Sequence, residues 1–159
     1  MSELNELYQE IILDHNRRPR NFRRLGAARK AEGHNPMCGD RVTIYVKEED
    51  GVIRDIAFQG TGCAISTASA SLLTERLKGK TVGEFQTLFH RFHDMVTGRD
   101  PGAMDDHDEL DALRAFEHVS DFPMRVKCAT LAWHTLKSAL EIDADSSDTA
   151  GTRTEENLA

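Results

Sequence analysis

The order of strand-like and helix-like segments predicts an α+β fold, a small three-stranded antiparallel sheet with helices packed against it. Two segments of alternating apolar residues, at 41–47 and 52–61, flank the hairpin signal Glu-Glu-Asp-Gly at 48–51. A third, weaker strand pattern lies near 28–33, and after Gly62 the hydrophobic period becomes helical. Strands followed by helices around one sheet are typical of the α+β class.

An amphipathic helix is predicted before the sheet. Residues 2–16 carry apolar side chains at helical spacing, and Ser2 is suited to cap the first turn. A basic connector at 17–30 follows and is interrupted by Pro19. We interpret it as a solvated segment or a docking surface for a protein partner, because it offers only Phe22 as an aromatic for nucleic-acid recognition. Its cations are Arg17, Arg18, Arg20, Arg23, Arg24, Arg29 and Lys30.

Four helices are predicted after the sheet. The first spans about 63–78 and ends before Gly79, a residue type suited to the position that follows a helix. The capping-box pattern at 81–84 begins a helix that runs to about 96. A polar loop at 98–106 precedes a short helix through Leu110, Leu113 and Phe116, and the last helix starts near Asp121 and Pro123. The apolar stripe of this last helix is Val126, Ala129, Thr130, Trp133, Leu136 and Leu140.

Length and charge predict one domain with a tail. The 159 residues are divided into one domain at 1–140 and a disordered acidic tail at 141–159. The tail holds six carboxylates and one arginine, so it carries −5 of the net charge of −7. No apolar run approaches the roughly 20 residues of a membrane span, and the polar first residues lack a secretory signal. We therefore expect a cytoplasmic protein.

The three cysteines each lie at an element boundary. Their odd number and wide spacing argue against a disulfide framework, so each is either a small buried hydrophobe or chemically employed. Cys38 precedes a strand, Cys63 begins a helix, and Cys128 lies about one turn into the last helix. Helix N-termini stabilise a thiolate, and so do cations such as Arg125, which shares a helix face with Cys128. Any one of these cysteines alone would be interpreted as a buried packing residue. That all three lie at element boundaries favours a shared chemical site instead.

Asp40 adds a carboxylate two residues after Cys38. The glycine between them allows the backbone to bring both side chains toward one point. Three thiolates and one carboxylate fit a tetrahedral zinc site, and the same set would also hold an iron–sulfur cluster with one non-sulfur ligand. The spacing lacks a Cys-x-x-Cys knuckle, so a role for Asp40 as a turn or capping residue stays open.

The helix after Cys63 begins almost entirely with Ala, Ser and Thr. Small side chains let a helix pack tightly, so we expect this helix to lie close on the sheet with its N-terminus near the Cys38 loop. Gly60 and Gly62 are expected to permit an abrupt turn from strand to helix. We therefore interpret this segment as one that positions the Cys63 thiol.

Three motifs together resemble the IscU/NifU-N superfamily of iron–sulfur cluster assembly proteins. They are NPMCGD at 35–40, GTGCAISTASAS at 60–71 and RVKCATLAW at 125–133, and LYQEIILDHNRRPRNF at 7–22 is similar to that superfamily as well. Two features resemble its SufU type, a zinc-containing sulfur-transfer branch of the Suf pathway. Lys127 stands where IscU-type scaffolds typically have a histidine ligand. The 64 residues between the second and third cysteines accommodate an extra helical segment.

This resemblance implies a zinc-dependent sulfurtransferase that accepts persulfide sulfur from a cysteine desulfurase for iron–sulfur cluster assembly. It implies Cys38, Asp40, Cys63 and Cys128 as Zn²⁺ ligands, Cys38 as the sulfur acceptor, and Arg125 as an arginine near the site. In that branch a histidine of the desulfurase replaces the acceptor cysteine on zinc, and the freed thiolate attacks the enzyme persulfide. The implied partners are a SufS-type cysteine desulfurase and downstream SUF assembly proteins, without nucleic acid or membrane.

Two other functions stay open at this point. The first is a scaffold on which a [2Fe–2S] cluster is assembled and handed to apo-proteins, so that a transient cluster replaces zinc and the protein is not an enzyme in the strict sense. The second is a purely structural zinc site. His90 and His93 are interpreted as surface residues, and His34 as a supporting or structural residue near Cys38.

Overall fold

The computed structural model describes residues 3–37, 39–99 and 110–140 and confirms the predicted α+β fold. The elements in chain order are α1 (Glu3–Arg17), β1 (Arg29–Asn35), β2 (Asp40–Glu49), β3 (Val52–Thr61), α2 (Ala64–Leu77), α3 (Val82–Val96), a 3-10 helix (Asp111–Asp121) and α4 (Pro123–Leu140). The segment predicted as a short helix after residue 110 is thus a 3-10 helix. Ser2, Cys38 and the predicted tail at 141–159 lie outside the described residues.

The three strands form one antiparallel sheet in the order β1-β2-β3. The hairpin predicted at 48–51 joins β2 to β3 through Asp50 and Gly51, whose φ angles are 52° and 80°. Two consecutive positive φ values are the mark of a type I′ turn, whose twist matches that of the strands. At the opposite end of the sheet, Asn35 of β1 pairs with Asp40 at the start of β2. That end carries the candidate site.

The caps of α2 and α3 follow the sequence signals. Gly79 follows α2 with a φ of 87°, which favours glycine. Thr81 accepts a hydrogen bond from Glu84 N at 3.0 Å, and the Glu84 carboxylate accepts one from Thr81 N at 2.8 Å. The predicted capping box is therefore present and fixes the start of α3.

The small-residue helix α2 packs between α1 and α4, which differs in part from its predicted place on the sheet. Helix α4 covers β1 and β2, whereas α2 contacts β3. Ser69 donates a hydrogen bond to Ala129 O at 2.6 Å and accepts one from the Trp133 indole at 3.0 Å, which ties α2 to α4. Small side chains let two helix backbones approach closely enough for these bonds. The indole itself stacks on Phe92 at a centroid distance of 4.4 Å in the core.

Candidate metal centre

Asp40 is buried at the start of β2 and faces the beginning of α2. The residue is only 1 % exposed, and its Oδ1 accepts a hydrogen bond from Cys63 N at 3.0 Å. A Cβ added to Gly62 would lie 2.6 Å from this oxygen. The glycine therefore leaves room for the carboxylate beside the helix start.

The predicted reason for Gly60 and Gly62 was wrong. Neither residue has a positive φ, so neither is required for an unusual turn. A Cβ on Gly60 would instead clash with the backbone of β2, including Val42 Cα at 2.9 Å. Both positions need glycine for close approach, the first to a neighbouring strand and the second to the Asp40 carboxylate.

Cys63 is the N-cap of α2, and its sulfur accepts a hydrogen bond from Ser66 N at 3.4 Å. A hydrogen bond from Cys128 and the backbone N–H groups at the helix start together lower the pKa of the Cys63 thiol to about 6, against opposition from burial and the nearby Asp40 charge. Ser66 was not singled out from the sequence. The sequence signal for Ser66 is the cysteine at the N-cap position. The side chain of an N-cap residue accepts a hydrogen bond from the backbone N–H of the third helical residue, which here is Ser66.

Asp40, Cys63 and Cys128 come together at one point. Each offers a ligand atom, and the three atoms lie within 4.8 Å of one another. The Cys63 sulfur lies 3.9 Å from Asp40 Oδ2, while Cys128 is buried at 5 % exposure. Two ligands bound to one zinc ion at 2.0–2.3 Å and the tetrahedral angle are roughly 3.5 Å apart. Two thiols and a carboxylate at this spacing fit Zn²⁺, and within the described ranges they form the one cluster of this kind.

Cys38 lies outside the described residues, so its predicted place among the ligands stays a prediction. The glycine beside it behaves as expected, because Gly39 has a φ of 76°, which side-chain-bearing residues rarely adopt. On the C-terminal side the chain leads into the cluster at Asp40, and on the N-terminal side Asn35 pairs with Asp40 in the sheet.

Arg125 and Lys127 are both exposed on α4 before the buried Cys128. The Arg125 guanidinium lies over the Phe122 ring at 4.9 Å from its centroid, a cation–π contact that the sequence analysis missed. The predicted role of Arg125 in the reaction stays a prediction. Lys127 directly precedes Cys128, so its side chain lies about 100° round the helix from the cysteine.

The histidines on α3 and α4 form a separate feature. His90, His93 and His134 line a cleft of about 350 Å³ together with Phe85, Gln86, Phe89 and Lys137. Burial, with the nearby positive groups His93 and Lys137, lowers the pKa of His134 to about 4, so this imidazole is neutral at pH 7. These histidines do not join the cluster of Asp40, Cys63 and Cys128.

Several cations of the basic connector are paired within the chain. Arg20 contacts Asp14 at 2.7 Å, and Arg23 contacts Asp55 at 3.2 Å. Both arginines therefore help to fasten the connector to the domain.

Comparison with known proteins identifies close relatives. A sequence profile of the family described as NifU-like N terminal domain matches residues 7–129. The chain is 39 % identical over 145 residues to "Iron-sulfur cluster assembly scaffold protein IscU" of Streptococcus pyogenes serotype M1, which covers 91 % of this chain and 89 % of the relative. It is 37 % identical over 139 residues to "Zinc-dependent sulfurtransferase SufU" of Bacillus subtilis (strain 168), with coverages of 87 % and 92 %.

A solved structure has the same fold. The neighbour is FiSufU of Fervidobacterium islandicum AW-1, described as an "iron-sulfur cluster assembly scaffold protein for SUF system". It superposes with a TM-score of 0.75 at 35 % identity, covering 86 % of this chain and 98 % of that chain. Within residues 3–37, 39–99 and 110–140, no helix is long and apolar enough to cross a membrane.

Proposed function

The chain belongs to the family of NifU-like N-terminal domains, and we propose that it is a zinc-dependent sulfurtransferase that serves iron–sulfur cluster assembly. This membership confirms the resemblance seen in the sequence motifs. The observation that carries the proposal is the cluster of Asp40, Cys63 and Cys128, whose ligand atoms lie within 4.8 Å of one another. Its chemistry suits Zn²⁺, which thiolate and carboxylate ligands hold in a tetrahedral site.

Cys38 supplies the fourth ligand and is the sulfur acceptor in this proposal. Bound zinc would keep the coordinating thiols deprotonated without adding redox chemistry. Asp40 Oδ1 accepts a hydrogen bond from Cys63 N at 3.0 Å, which anchors the carboxylate and holds its other oxygen, Oδ2, 3.9 Å from the Cys63 sulfur. The loop that carries Cys38 joins directly to this carboxylate.

The reaction is a thiol–persulfide exchange with a SufS-type cysteine desulfurase. The Cys38 thiolate attacks the outer sulfur of the persulfide on the desulfurase cysteine. A sulfur–sulfur bond forms on Cys38, the sulfur–sulfur bond on the desulfurase breaks, and its cysteine leaves as a thiolate. The proton of the outer sulfur travels with that sulfur, so no oxidant or reductant is consumed. Arg125, exposed three residues before Cys128, provides a cation for the anionic sulfurs.

The new persulfide is passed to downstream SUF assembly proteins in the cytoplasm. Two features favour this role over cluster scaffolding. A lysine precedes Cys128 where scaffold-type relatives typically place a histidine, and its ammonium is exposed. One relative at 37 % identity is named a zinc-dependent sulfurtransferase.

A [2Fe–2S] scaffold is the second candidate, because a relative at 39 % identity is named an IscU scaffold protein. Metal analysis of gently purified protein, paired with a desulfurase assay, separates the two. We expect colourless protein with about one zinc per chain and faster sulfide release when the protein is added to the desulfurase with cysteine and a thiol reductant. Brown protein that carries a cluster at useful yield, without such stimulation, would favour the scaffold. Zinc-free protein with three reduced cysteines would contradict the sulfurtransferase.

A further inference from the structure

Asn35 is a buried polar residue at the base of the Cys38 loop. It ends β1, is 2 % exposed, and lies opposite Asp40 in the antiparallel register. The antiparallel pair of β1 and β2 therefore ends at Asn35 and the candidate ligand Asp40.

The two chain neighbours of Cys38 both bond to Asn35. The Asn35 side-chain Oδ1 accepts a hydrogen bond from Met37 N at 3.1 Å, and its backbone O accepts one from Gly39 N at 2.8 Å. The first bond closes an Asx turn, in which an asparagine side chain holds the N–H two residues on. Cys38 thus lies in the chain between two anchored N–H groups.

We propose that Asn35 is a positioning residue for sulfur transfer, because it fixes the backbone on both sides of Cys38, the acceptor proposed for the site of Asp40, Cys63 and Cys128. This inference rests on the proposed function, because it assigns Cys38 to that site. Reactive groups must be held by residues whose own conformations are locked, and a misplacement of about 1 Å can cost about 100-fold in rate. The burial of Asn35 and its place at the end of a paired strand supply that locking.

The β2–β3 hairpin offers a matched control for hairpin stability alone. There the Glu48 carboxylate accepts a hydrogen bond from Gly51 N at 2.8 Å, so a side chain again holds a turn N–H. This turn lies at the end of the sheet away from Asp40. Removing the Asn35 or the Glu48 side chain takes away one such hydrogen bond and loosens its hairpin, but only the Asn35 hairpin carries Cys38.

The test uses the full-length chain with its metal as purified, in wild type and in N35A, N35S and E48A. One measurement is the rate at which iodoacetamide alkylates Cys38, mapped by mass spectrometry of peptides. The other is the rate of persulfide formation on Cys38 with desulfurase and cysteine, at varied concentrations of this protein, so that kcat and KM are separated.

We expect N35A to raise Cys38 alkylation about tenfold and to lower kcat about tenfold or more, with KM unchanged because Asn35 is buried. N35S keeps an uncharged acceptor for Met37 N and should restore much of both values. E48A should match wild type. Equal alkylation in N35A and wild type, or an equal rise in E48A, would overturn the proposal.

The two measurements separate this inference from the proposed function. If wild-type protein forms no persulfide on Cys38, the proposed function fails. The alkylation rates still decide whether Asn35 holds that cysteine, because they require no desulfurase.

Discussion

Asp40 uses one carboxylate oxygen to hold the start of α2 and presents the other toward the Cys63 sulfur. The bond from Cys63 N measures 3.0 Å, and Oδ2 lies 3.9 Å from the sulfur. The backbone N–H of Ser66 supports the same sulfur. At the scale of single residues, the protein therefore arranges three ligand atoms through hydrogen bonds of its own, which reduces the ordering that metal binding requires.

Gly62→Ala tests the space beside Asp40. The added methyl would lie 2.6 Å from Oδ1, so the carboxylate must move and zinc affinity should fall by about tenfold. Competition with a chromophoric chelator measures the affinity. Gly83→Ala is the control, because its methyl would meet only Thr81 Oγ1 at 3.8 Å within an α-helix. That variant should bind zinc normally and unfold with about 0.5–1 kcal/mol more stability. Equal zinc affinity in both variants would contradict the crowding argument.

Single substitutions at the candidate ligands should distinguish a residue that accepts sulfur from residues that hold zinc and support the fold. Cys38→Ala should abolish sulfur acceptance while leaving a folded protein, because water or a nearby group can fill the vacated zinc position. Cys63→Ala and Cys128→Ala remove side chains at the α2 cap and in the core, so both should lose zinc and activity. Asp40→Ala should have an intermediate zinc affinity. Circular dichroism, zinc analysis and the desulfurase assay check these outcomes, and full sulfur acceptance by Cys38→Ala would refute the assigned role.

Among the elements, α3 and α4 meet around a buried neutral imidazole. His134 of α4 contacts the Phe89 ring of α3 at a centroid distance of 5.1 Å in an edge-to-face arrangement. Its pKa is lowered to about 4, first by burial and then by the charges of His93 and Lys137. The folded protein therefore resists a proton that the unfolded chain accepts below about pH 6.5.

The burial of His134 predicts that the folded protein loses stability as the pH falls. Between about pH 6.5 and 4 the unfolded state binds more protons at His134, so its contribution to stability is lost as pH falls through this window. From pH 7.5 to 5 we expect wild type to lose about 2 kcal/mol more than His134→Leu. Urea unfolding at both pH values measures the difference, and comparing the two proteins cancels acid loss of the metal. Equal losses would show that folding does not lower the pKa of His134.

Periodicity and caps predicted where the elements lie, but they did not predict how the elements pack. The capping box at Thr81 and the stop at Gly79 are local signals, so the sequence alone located both helix ends. The position of α2 between α1 and α4 depends on contacts such as Ser69 with Trp133, 64 residues apart. No local pattern contains such a contact.

The same limit applies to the candidate site. Residue chemistry and motif resemblance were enough to select Asp40, Cys63 and Cys128. The hydrogen bond from Met37 N to Asn35 and the space beside Gly62 depend on three-dimensional distances that no sequence pattern gives, so the structure was needed to find them.

For the whole molecule, the site links parts of the chain that are distant in sequence. Asp40 starts β2, Cys63 caps α2 and Cys128 lies in α4, so one metal ion would join the sheet to two helices. Metal binding of this kind contributes directly to folding free energy.

The tail at 141–159 should be dispensable for zinc binding and for sulfur acceptance. It carries a net charge of −5 and few apolar residues, so it has little to bury against the domain. A chain that ends at Leu140 should bind about one zinc and accept sulfur at the rate of the full-length protein. Zinc analysis and the desulfurase assay compare the two lengths, and loss of either property on truncation would contradict the assignment of the site to residues 1–140.

The most direct test of the central claim is the location of the transferred sulfur. Zinc-loaded wild-type protein is mixed with a SufS-type desulfurase and cysteine, its thiols are labelled, and the peptides are mapped by mass spectrometry. We predict a persulfide on Cys38, with Cys63 and Cys128 unmodified. A persulfide on Cys63 or Cys128 with Cys38 unmodified would contradict the account.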